Sequence, residues 1–505
     1  MSSYAADASS DMFRDSRVRF TGLVDFLGDD QAAGLTHSEL EDHLHHEGIR
    51  LLRQLMQDSL DLRAMREQRL EQVTDVGGVG RGRVAAGRER GLTTIFGSVV
   101  VARNAYRQPG HADLHPADAG LNLPAESHSF GLRRLAAIEA ARGSYQAAGA
   151  AIERATGVRL GKRQIEALAG RAAVDVDAFY AAHAPDPAPA DDVLVLSFDD
   201  KGVVMRPDGL RPATAKAAAG SRTKLASRLS KGEKPHRKRM AEVAAVYDLT
   251  PVPRTIADIL PTTTEPVDPD SPAHPAPVAT GKWLHASIAE DTTVVIAAGF
   301  AEADRRDPHH ARTWIALVDG NNHQIQRIRA EARCRGITLP IVVDIVHVLG
   351  YLWKAVWCFF GEGDPAAETW VHQQARAILA GQAGQVAAAI RRKATYHGLD
   401  PGQRRNADVC ADYLHAKKNH LDYPTALAAG WPIATGVIEG ACRHLVKDRM
   451  DLTGARWGLD GAEAILKLRA LITNGDFDQY WPWHLEQEHQ HNHESRYLNG
   501  IIPTR

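Results

Sequence analysis

The sequence lacks long apolar runs and closely paired cysteines. No stretch approaches roughly 18 consecutive apolar residues, which excludes a transmembrane helix on hydropathy. The first residues contain neither a basic region nor an apolar core, so we expect no secretory signal peptide and no membrane partner. The wide spacing of the few cysteines is typical of reduced thiols in a cytoplasmic protein and argues against a disulfide framework or a zinc ribbon. They are Cys334, Cys358, Cys410 and Cys442.

The sequence also lacks an excess of either charge. The formal net charge is −2 over 505 residues, so the average gives no sign of a nucleic-acid partner. Such an average can hide a polarised chain. Hydrophobic residues make up 44% and charged residues 24%, values ordinary for globular proteins, and the length predicts three or four structural units.

Composition and periodicity divide the chain into segments. We expect a mostly helical region, including a hairpin at Leu92–Tyr106, before a linker at 184–190, and a mixed α/β core after it. The predicted segments are a flexible N-terminus (1–34), a helical and hairpin region (35–183), the α/β core (190–347) with a basic insertion (207–240) and a proline-rich loop (251–281), an all-α insertion (348–430), a C-terminal helical region (431–475) and a polar tail (476–505).

The core is predicted from short apolar runs alternating with helical patterns. Runs at 193–198 and 202–205 indicate two adjacent strands, and 241–247 indicates a third. Further strands are predicted at 314–318 and 341–343, with helices at 292–303 and 323–334.

Acidic residues stand where two of these apolar runs end. Asp199 follows VLVLSF and Asp319 follows WIALV, and functional groups collect at the carboxyl ends of such strands. Asp200 and Asp248 compete with Asp199 for the same role. A turn or capping role is the alternative for each, and Gly320 favours it for Asp319.

Glu439 is the candidate for a third acid. It lies in the segment ATGVIEGACRHLVKDRM, where burial of a carboxylate among apolar neighbours is costly unless it binds a partner. Three hard oxygen ligands suit Mg²⁺ or Mn²⁺. An exposed glutamate at a helix start is the alternative.

Several segments together resemble the insertion-sequence transposases of the ISKra group. They include LSFDDKGVVMRP, TWIALVDGNNHQI, IVVDIVHVLGYLWKAVWCFF and ATGVIEGACRHLVKDRMDLTGARWGLDGAEAILKLRAL, and the resemblance covers most of 190–500. It implies a DDE transposase with an RNase H-like catalytic fold and a helical insertion before the last acid. On this resemblance the three acids are Asp199, Asp319 and Glu439. Asp200 stands where the pattern has glycine, which leaves both aspartates as possible first ligands.

Asp344 and His347 form a D-x-x-H pattern that is also found in Mutator-like transposases. Side chains at i and i+3 share a helix face, so we assign the pair an accessory catalytic role. A capping aspartate and a packed histidine are the alternative.

Basic residues concentrate in three places, and in each a solvated surface is the alternative to a DNA contact. The segment 201–239 predicts contacts to the DNA backbone, the hairpin 143–171 is compatible with a helix-turn-helix, and the helix after Glu439 carries further cations. The predicted DNA-binding residues are Lys162, Arg163, Arg222, Lys224, Lys231, Arg237, Lys238, Arg239, Arg443, Lys447 and Arg449.

Two further patterns are assigned to structure. The spacing of Trp353, Trp357 and Phe360 predicts the core of the helical insertion in preference to a platform for bases. The histidines near the C-terminus are expected in a polar tail, with opportunistic metal binding as the alternative. They are His484, His489, His491 and His493.

These features and the resemblance together predict a DNA transposase. Its chemistry is metal-dependent cleavage at element ends followed by transfer of the 3′-hydroxyl to target DNA. The alternatives are a nuclease of the same fold without strand transfer and a non-catalytic DNA-binding descendant. The expected partner is double-stranded DNA, bound by a homo-oligomer in the bacterial cytoplasm and associated with the nucleoid.

Overall fold

The computed structural model describes residues 12–503 apart from 184, 186, 221–236, 262–274 and 453. The chain forms two compact units, one from Met1–Ala181 with Gly475–Arg505 and one from Ala182–Asn474. Within the described residues, no helix combines the length and apolar character needed to cross a membrane.

Within the described residues the secondary structure combines two small antiparallel sheets, one larger sheet and many helices. The strands are β1 (Val73–Thr74), β2 (Gly80–Arg81), β3 (Arg83–Thr94), β4 (Gly97–Arg107), β5 (Val193–Val204), β6 (Lys238–Leu249), β7 (Ala279–Ser287), β8 (Trp314–Val318) and β9 (Ile341–Val343). The α-helices are α1 (Arg14–Leu27), α2 (Asp30–Ala33), α3 (His37–Arg66), α4 (Pro116–Gly120), α5 (Phe130–Arg142), α6 (Tyr145–Thr156), α7 (Lys162–Ala172), α8 (Val176–Ala182), α9 (Pro212–Gly220), α10 (Ile256–Ile259), α11 (Thr292–Arg306), α12 (Asn322–Cys334), α13 (Ile345–Val356), α14 (Pro365–Leu379), α15 (Ala383–Tyr396), α16 (Arg405–Lys417), α17 (Tyr423–Ala428), α18 (Gly436–Ala441), α19 (Asp448–Met450), α20 (Leu459–Asn474) and α21 (Phe477–Asn492). A π-helical turn, Cys442–Lys447, joins α18 to α19.

The first unit is built on the long helix α3 and the β3–β4 hairpin. Thr36 and Glu39 form a reciprocal capping box that starts α3, because each side chain accepts a hydrogen bond from the other residue's backbone N–H. Leu60 of α3 packs with Leu92 of β3 and Val99 of β4 in one apolar cluster. Helices α5, α6 and α7 pack on one another beside this hairpin.

Two segments of this unit differ from the sequence-based expectation. The stretch 1–34 is not loose throughout, because 14–27 and 30–33 are helical and Ser16 hydrogen-bonds the buried Asp58 of α3. The expected polar tail is also wrong, since α21 lies within it and Tyr497 is buried with Val73 and Tyr106. Polar side chains do not prevent packing where their partners are supplied by another part of the fold.

The second unit contains a mixed five-stranded sheet in the order β7-β6-β5-β8-β9. Strands β7, β6 and β5 are antiparallel, whereas β5, β8 and β9 run parallel. Strands β8 and β9 are apolar runs buried on both faces, as parallel strands covered by helices usually are. The structure therefore has a mixed α/β core flanked by helices.

Successive residues of β5 show which helices cover each face of the sheet. Phe198 packs against α11, where a Cβ on Gly299 would lie only 2.8 Å from the Phe198 ring. Asp199 points the other way, toward the π-helical turn, where Cys442 hydrogen-bonds its carboxylate. Helices α18 and α20 pack on this second face.

β5 corrects one prediction. The sequence suggested separate strands at 193–198 and 202–205, but Val193–Val204 is one strand paired along its whole length with β6. The intervening charged residues resemble a turn in the sequence, yet they continue the strand because β6 pairs with each of them and the strand returns to the core at Val203 and Val204.

Candidate active site

Asp199 of β5 and Asp319, the residue that follows β8, come two residues after the last paired residues of these neighbouring parallel strands. Ser197 of β5 pairs with Leu317 of β8, so the same offset two residues further on sets Asp199 beside Asp319. Neighbouring strands lie about 4.8 Å apart. Burial raises the pKa of Asp199, and the charge of Asp319 raises it further. Two carboxylates therefore approach each other at the carboxyl end of the parallel strands.

Glu439 approaches from helix α18, which packs against β5 and β6. Cys442 lies three residues further along, so the two side chains share one helix face. The Cys442 thiol donates a hydrogen bond to the Asp199 carboxylate, and burial strongly raises the pKa of this thiol. Glu439 itself is exposed. The structure thus places the helix that carries Glu439 against β5 and β6, next to the turn toward which Asp199 points.

The carboxylate oxygens of this region do not meet at one point. Among the described residues, groups of three potential ligand atoms within 4.8 Å of one another occur at Asp175–His484–Glu488 and Glu486–His489–Glu494. The carboxylate oxygens of Asp199, Asp319 and Glu439 do not all lie within 4.8 Å of one another. Uncompensated carboxylates repel one another, and a pair of cations about 3.5–4 Å apart is served by ligands spread over a larger area.

Asp200 faces the opposite side of the sheet from Asp199. Its partner in the β5–β6 register is Glu242, which hydrogen-bonds Thr292 at the start of α11. Burial raises the pKa of Asp200, as do the charges of Asp199 and Asp319. Because strand residues alternate, Asp199 and not Asp200 points toward the helix that carries Glu439. Asp248, the other competitor, is held in ion pairs by Arg306 and Arg312.

The turn after β8 holds Asp319 through its backbone. The Tyr413 hydroxyl of α16 donates a hydrogen bond of 2.9 Å to the Asp319 carbonyl oxygen. Gly320 adopts a φ of +98°, and a Cβ there would lie 2.7 Å from the Tyr413 hydroxyl oxygen. The Asp319 carboxylate accepts the backbone N–H of Asn321 at 2.8 Å. The aspartate is therefore fixed by a turn that requires glycine, and its carboxylate also holds that turn.

Asp344 and His347 do not act as a pair. Asp344 is fully buried; its carboxylate accepts the Val346 backbone N–H at 2.9 Å and the Thr435 hydroxyl at 2.7 Å. The accessory catalytic role predicted for Asp344 is therefore corrected to a structural one, since its oxygens are occupied inside the protein. His347 is exposed on the first turn of α13. Its predicted accessory role stays a prediction.

Some of the predicted DNA-binding residues are exposed. Lys162 and Arg163 lie on the first turn of α7, the second helix of the two-helix arrangement predicted at 143–171. The remaining exposed cations are Arg237, Lys238, Arg443 and Lys447. Arg222, Lys224 and Lys231 lie outside the described residues.

Two predicted DNA-binding arginines have structural roles instead. The Arg239 guanidinium donates to the carbonyl oxygens of Gly209, Ile288 and Ala289. Arg449 is 2% exposed and lies 4.6 Å from the centroid of the Trp457 ring. Guanidiniums engaged in this way are not available to phosphates, so both assignments are corrected.

The sequence reasoning missed the residues that hold the acids. Cys442 contacts Asp199, Tyr413 supports Asp319, and Thr435 joins Asp344 to the start of α18. The helical spacing between Glu439 and Cys442 was a usable signal. No local pattern reveals Tyr413, because its partner lies 94 residues away in the chain.

The His484 cluster in the first unit is an ion network. His484 Nδ1 lies 2.7 Å from an Asp175 carboxylate oxygen, and Arg133 Nη1 lies 3.1 Å from His484 Nε2 and 2.9 Å from a Glu488 oxygen. A guanidinium only donates, so His484 accepts at Nε2 and donates from Nδ1. Arg133 thus supplies the positive charge in this cluster that a metal ion would otherwise bring.

No family model matches the chain, and comparison with curated proteins gives no match.

Proposed function

We propose that this protein is a DNA transposase of the DDE type with an RNase H-like catalytic unit. The observation that carries the proposal is the register of β5 and β8, which sets Asp199 beside Asp319 while the helix of Glu439 packs over the same face. The resemblance of several segments to ISKra-group transposases supports the same assignment.

The donor set suits Mg²⁺ or Mn²⁺. Asp199, Asp319 and Glu439 would hold the ions through hard carboxylate oxygens. Burial and repulsion between neighbouring carboxylates raise the pKa of Asp199 and of Asp200, and a cation relieves this cost. When bound, such ions lower the pKa of an attacking water and stabilise the leaving oxygen.

The chain itself contributes positioning and charge. Cys442 and the Gly320 turn fix the two aspartates, so little reorganisation is required when DNA binds. Arg443 and Lys447 are exposed on the turn that follows Glu439 and would neutralise phosphates near the scissile bond.

The reaction requires no covalent protein intermediate. In the first step the oxygen of water forms a bond to phosphorus, the bond from phosphorus to the 3′-oxygen breaks, and that oxygen leaves as a hydroxyl. In the second step the 3′-hydroxyl forms a bond to a target phosphorus, and the displaced target strand leaves with its own 3′-hydroxyl. Positioning and electrostatic stabilisation account for such phosphoryl transfers.

Double-stranded DNA is the proposed partner, bound at element ends and at the target. Helices α5, α6 and α7 pack together, and Lys162 and Arg163 begin α7 in the manner of a helix-turn-helix recognition helix. Two element ends must be brought together, so the protein is proposed to act as a homo-oligomer on DNA, in the bacterial cytoplasm and at the nucleoid.

The test uses labelled DNA that flanks the gene, a target plasmid and Mg²⁺. We expect cleaved and joined products from the wild type, and none from Asp319→Asn, from Glu439→Gln or in EDTA. Glu362→Gln, a matched change at an exposed acid of the same unit, should retain both products. Nicks without joined DNA would identify a nuclease. DNA binding without any cleavage, or full activity in both variants, would contradict the catalytic proposal.

A further inference from the structure

Helix α13, together with its C-cap residue Trp357, leaves two tryptophans exposed. Its buried face carries Val348 and Leu352, whereas Trp353 is 38% and Trp357 46% exposed. The centroids of the two indole rings lie 5.8 Å apart with their planes inclined by 34°. The helical spacing had suggested a packed core, and the structure corrects this for both residues. Two large aromatic side chains on one exposed helix face mark an interaction surface.

The charge of this face favours an anionic ligand. The segment 345–360 contains no aspartate or glutamate. Lys354 is exposed next to Trp353, with its ammonium 5.2 Å from the centroid of the Tyr351 ring, and His347 is exposed one turn before Tyr351. The face therefore combines flat aromatic groups with cations, the pairing that binds nucleic-acid strands.

The position of α13 connects this face with the candidate active site. Val343 of β9 pairs with Val318 of β8, so the residues that follow these strands, Asp344 and Asp319, lie at neighbouring positions of the sheet edge. From His347, Trp353 lies about 9 Å and Trp357 about 15 Å further along the helix axis. These two distances correspond to roughly three and roughly four nucleotides at 3.4 Å each.

We propose that this face, defined by His347, Trp353, Lys354 and Trp357, binds unpaired DNA next to the cleaved phosphodiester. The indole rings stack on bases and Lys354 contacts a phosphate. Every base has a π-face, but paired bases in a duplex bury theirs, so the surface selects an unpaired strand without reading its sequence. The inference rests on the proposed function and names the DNA form that the catalytic unit holds.

The test measures binding of fluorescein-labelled oligothymidylate and of a duplex of the same length to the full-length protein in EDTA. Trp353→Ala and Trp357→Ala should each weaken oligothymidylate binding by about fivefold or more, since stacking contributes about 1–3 kcal/mol per base. Trp353→Phe should retain most of the affinity. Binding of the duplex should not change.

Tyr396→Ala provides the matched control, because Tyr396 is 90% exposed on α15 of the same unit. Trp353→Leu keeps a branched apolar side chain and removes the ring, so this variant is used for the test if the alanine variant does not fold. Unchanged oligothymidylate affinity in the tryptophan variants would overturn the inference. A loss of self-association with unchanged DNA affinity would also overturn it and assign the face to contact with a second copy.

Failure of this inference and failure of the proposed function give different results. Binding in EDTA does not depend on metal-dependent cleavage, so an inactive protein whose tryptophan variants lose oligothymidylate affinity supports the surface and contradicts the transposase. Efficient cleavage and joining with unchanged oligothymidylate affinity contradicts only the surface.

Discussion

The Thr435 hydroxyl donates a hydrogen bond of 2.7 Å to the Asp344 carboxylate, and both side chains are buried. The same hydroxyl oxygen lies 3.4 Å from a carboxylate oxygen of Glu439, one turn further along α18. The contact therefore joins the start of α13 to the helix that carries the third acid.

Replacing Thr435 by valine tests this contact. Thr435→Val preserves the shape of the side chain but leaves a buried carboxylate oxygen without its donor, which we expect to cost about 1–3 kcal/mol of the free energy of unfolding. Thr435→Ser retains the hydroxyl and should lie close to the wild type. Denaturant titration measures both, and equal stability of the valine variant would contradict the assigned role of Asp344.

The pH dependence of stability tests the buried carboxylate of Asp199. Its pKa is raised in the folded state, chiefly by burial, so the folded protein binds more protons than the unfolded chain between the ordinary aspartate pKa of 3.8 and the raised pKa. This carboxyl therefore destabilises the protein at pH values above its folded pKa, and the penalty disappears as the pH falls through that window. Asp199→Asn should raise the denaturation midpoint near neutral pH, with a gain that shrinks toward acid pH.

The control for this experiment is Glu362→Gln at an exposed position. It should leave the pH profile unchanged. If Asp199→Asn is no more stable than the wild type at neutral pH, the carboxylate is not the source of strain that we describe.

Gly320 and Gly336 separate backbone strain from steric overlap. Both have positive φ, +98° and +69°, but a Cβ on Gly336 meets no atom within 4 Å, whereas one on Gly320 overlaps the Tyr413 hydroxyl. Gly336→Ala should cost about 1–2 kcal/mol for the left-handed conformation alone. Gly320→Ala should cost more and should also reduce DNA cleavage, because Asp319 precedes it. Equal losses in the two variants would rule out a role for the Tyr413 contact.

Lys447 and Arg449 are two residues apart, but replacing them should affect different properties: DNA affinity for Lys447 and stability for Arg449. Lys447→Ala should weaken DNA binding uniformly and reduce the salt-dependence slope by about 1, with little change in stability. Arg449→Ala removes a buried cation–π contact with Trp457 and should lower the free energy of unfolding by about 1–2 kcal/mol. Salt titrations of DNA affinity and denaturation of both variants check the pair. A salt slope that changes only in Arg449→Ala would reverse the assignment.

Local sequence patterns predicted the strands whose residues are buried on both faces. The apolar runs at Trp314–Val318 and Ile341–Val343 are buried on both faces, and they form strands at the predicted positions. Helix α12 begins one residue earlier than expected and α11 ends three residues later, because helix ends depend on caps more than on periodicity.

Local pattern failed where a distant partner decides the outcome. The spacing of Trp353 and Trp357 predicts a shared helix face, but only the neighbouring helices determine whether that face is buried. Arg449 looks like its basic neighbours in sequence until the fold places Trp457 beside it. The histidine-rich C-terminal segment looks like a solvated tail because its partners, Asp175 and Arg133, lie more than 300 residues earlier.

The return of the C-terminal segment to the first unit has a consequence for how the protein can be divided. Residues Gly475–Arg505 complete the unit that begins the chain, so Ala182–Asn474 is a continuous domain inserted into a discontinuous host. Removing the last thirty or so residues would expose the apolar partners of Tyr497 and leave Arg133 without His484 and Glu488. Cuts at residues 182 and 474 would therefore leave every residue of the candidate active site in one continuous segment, whereas the host unit requires both ends of the polypeptide.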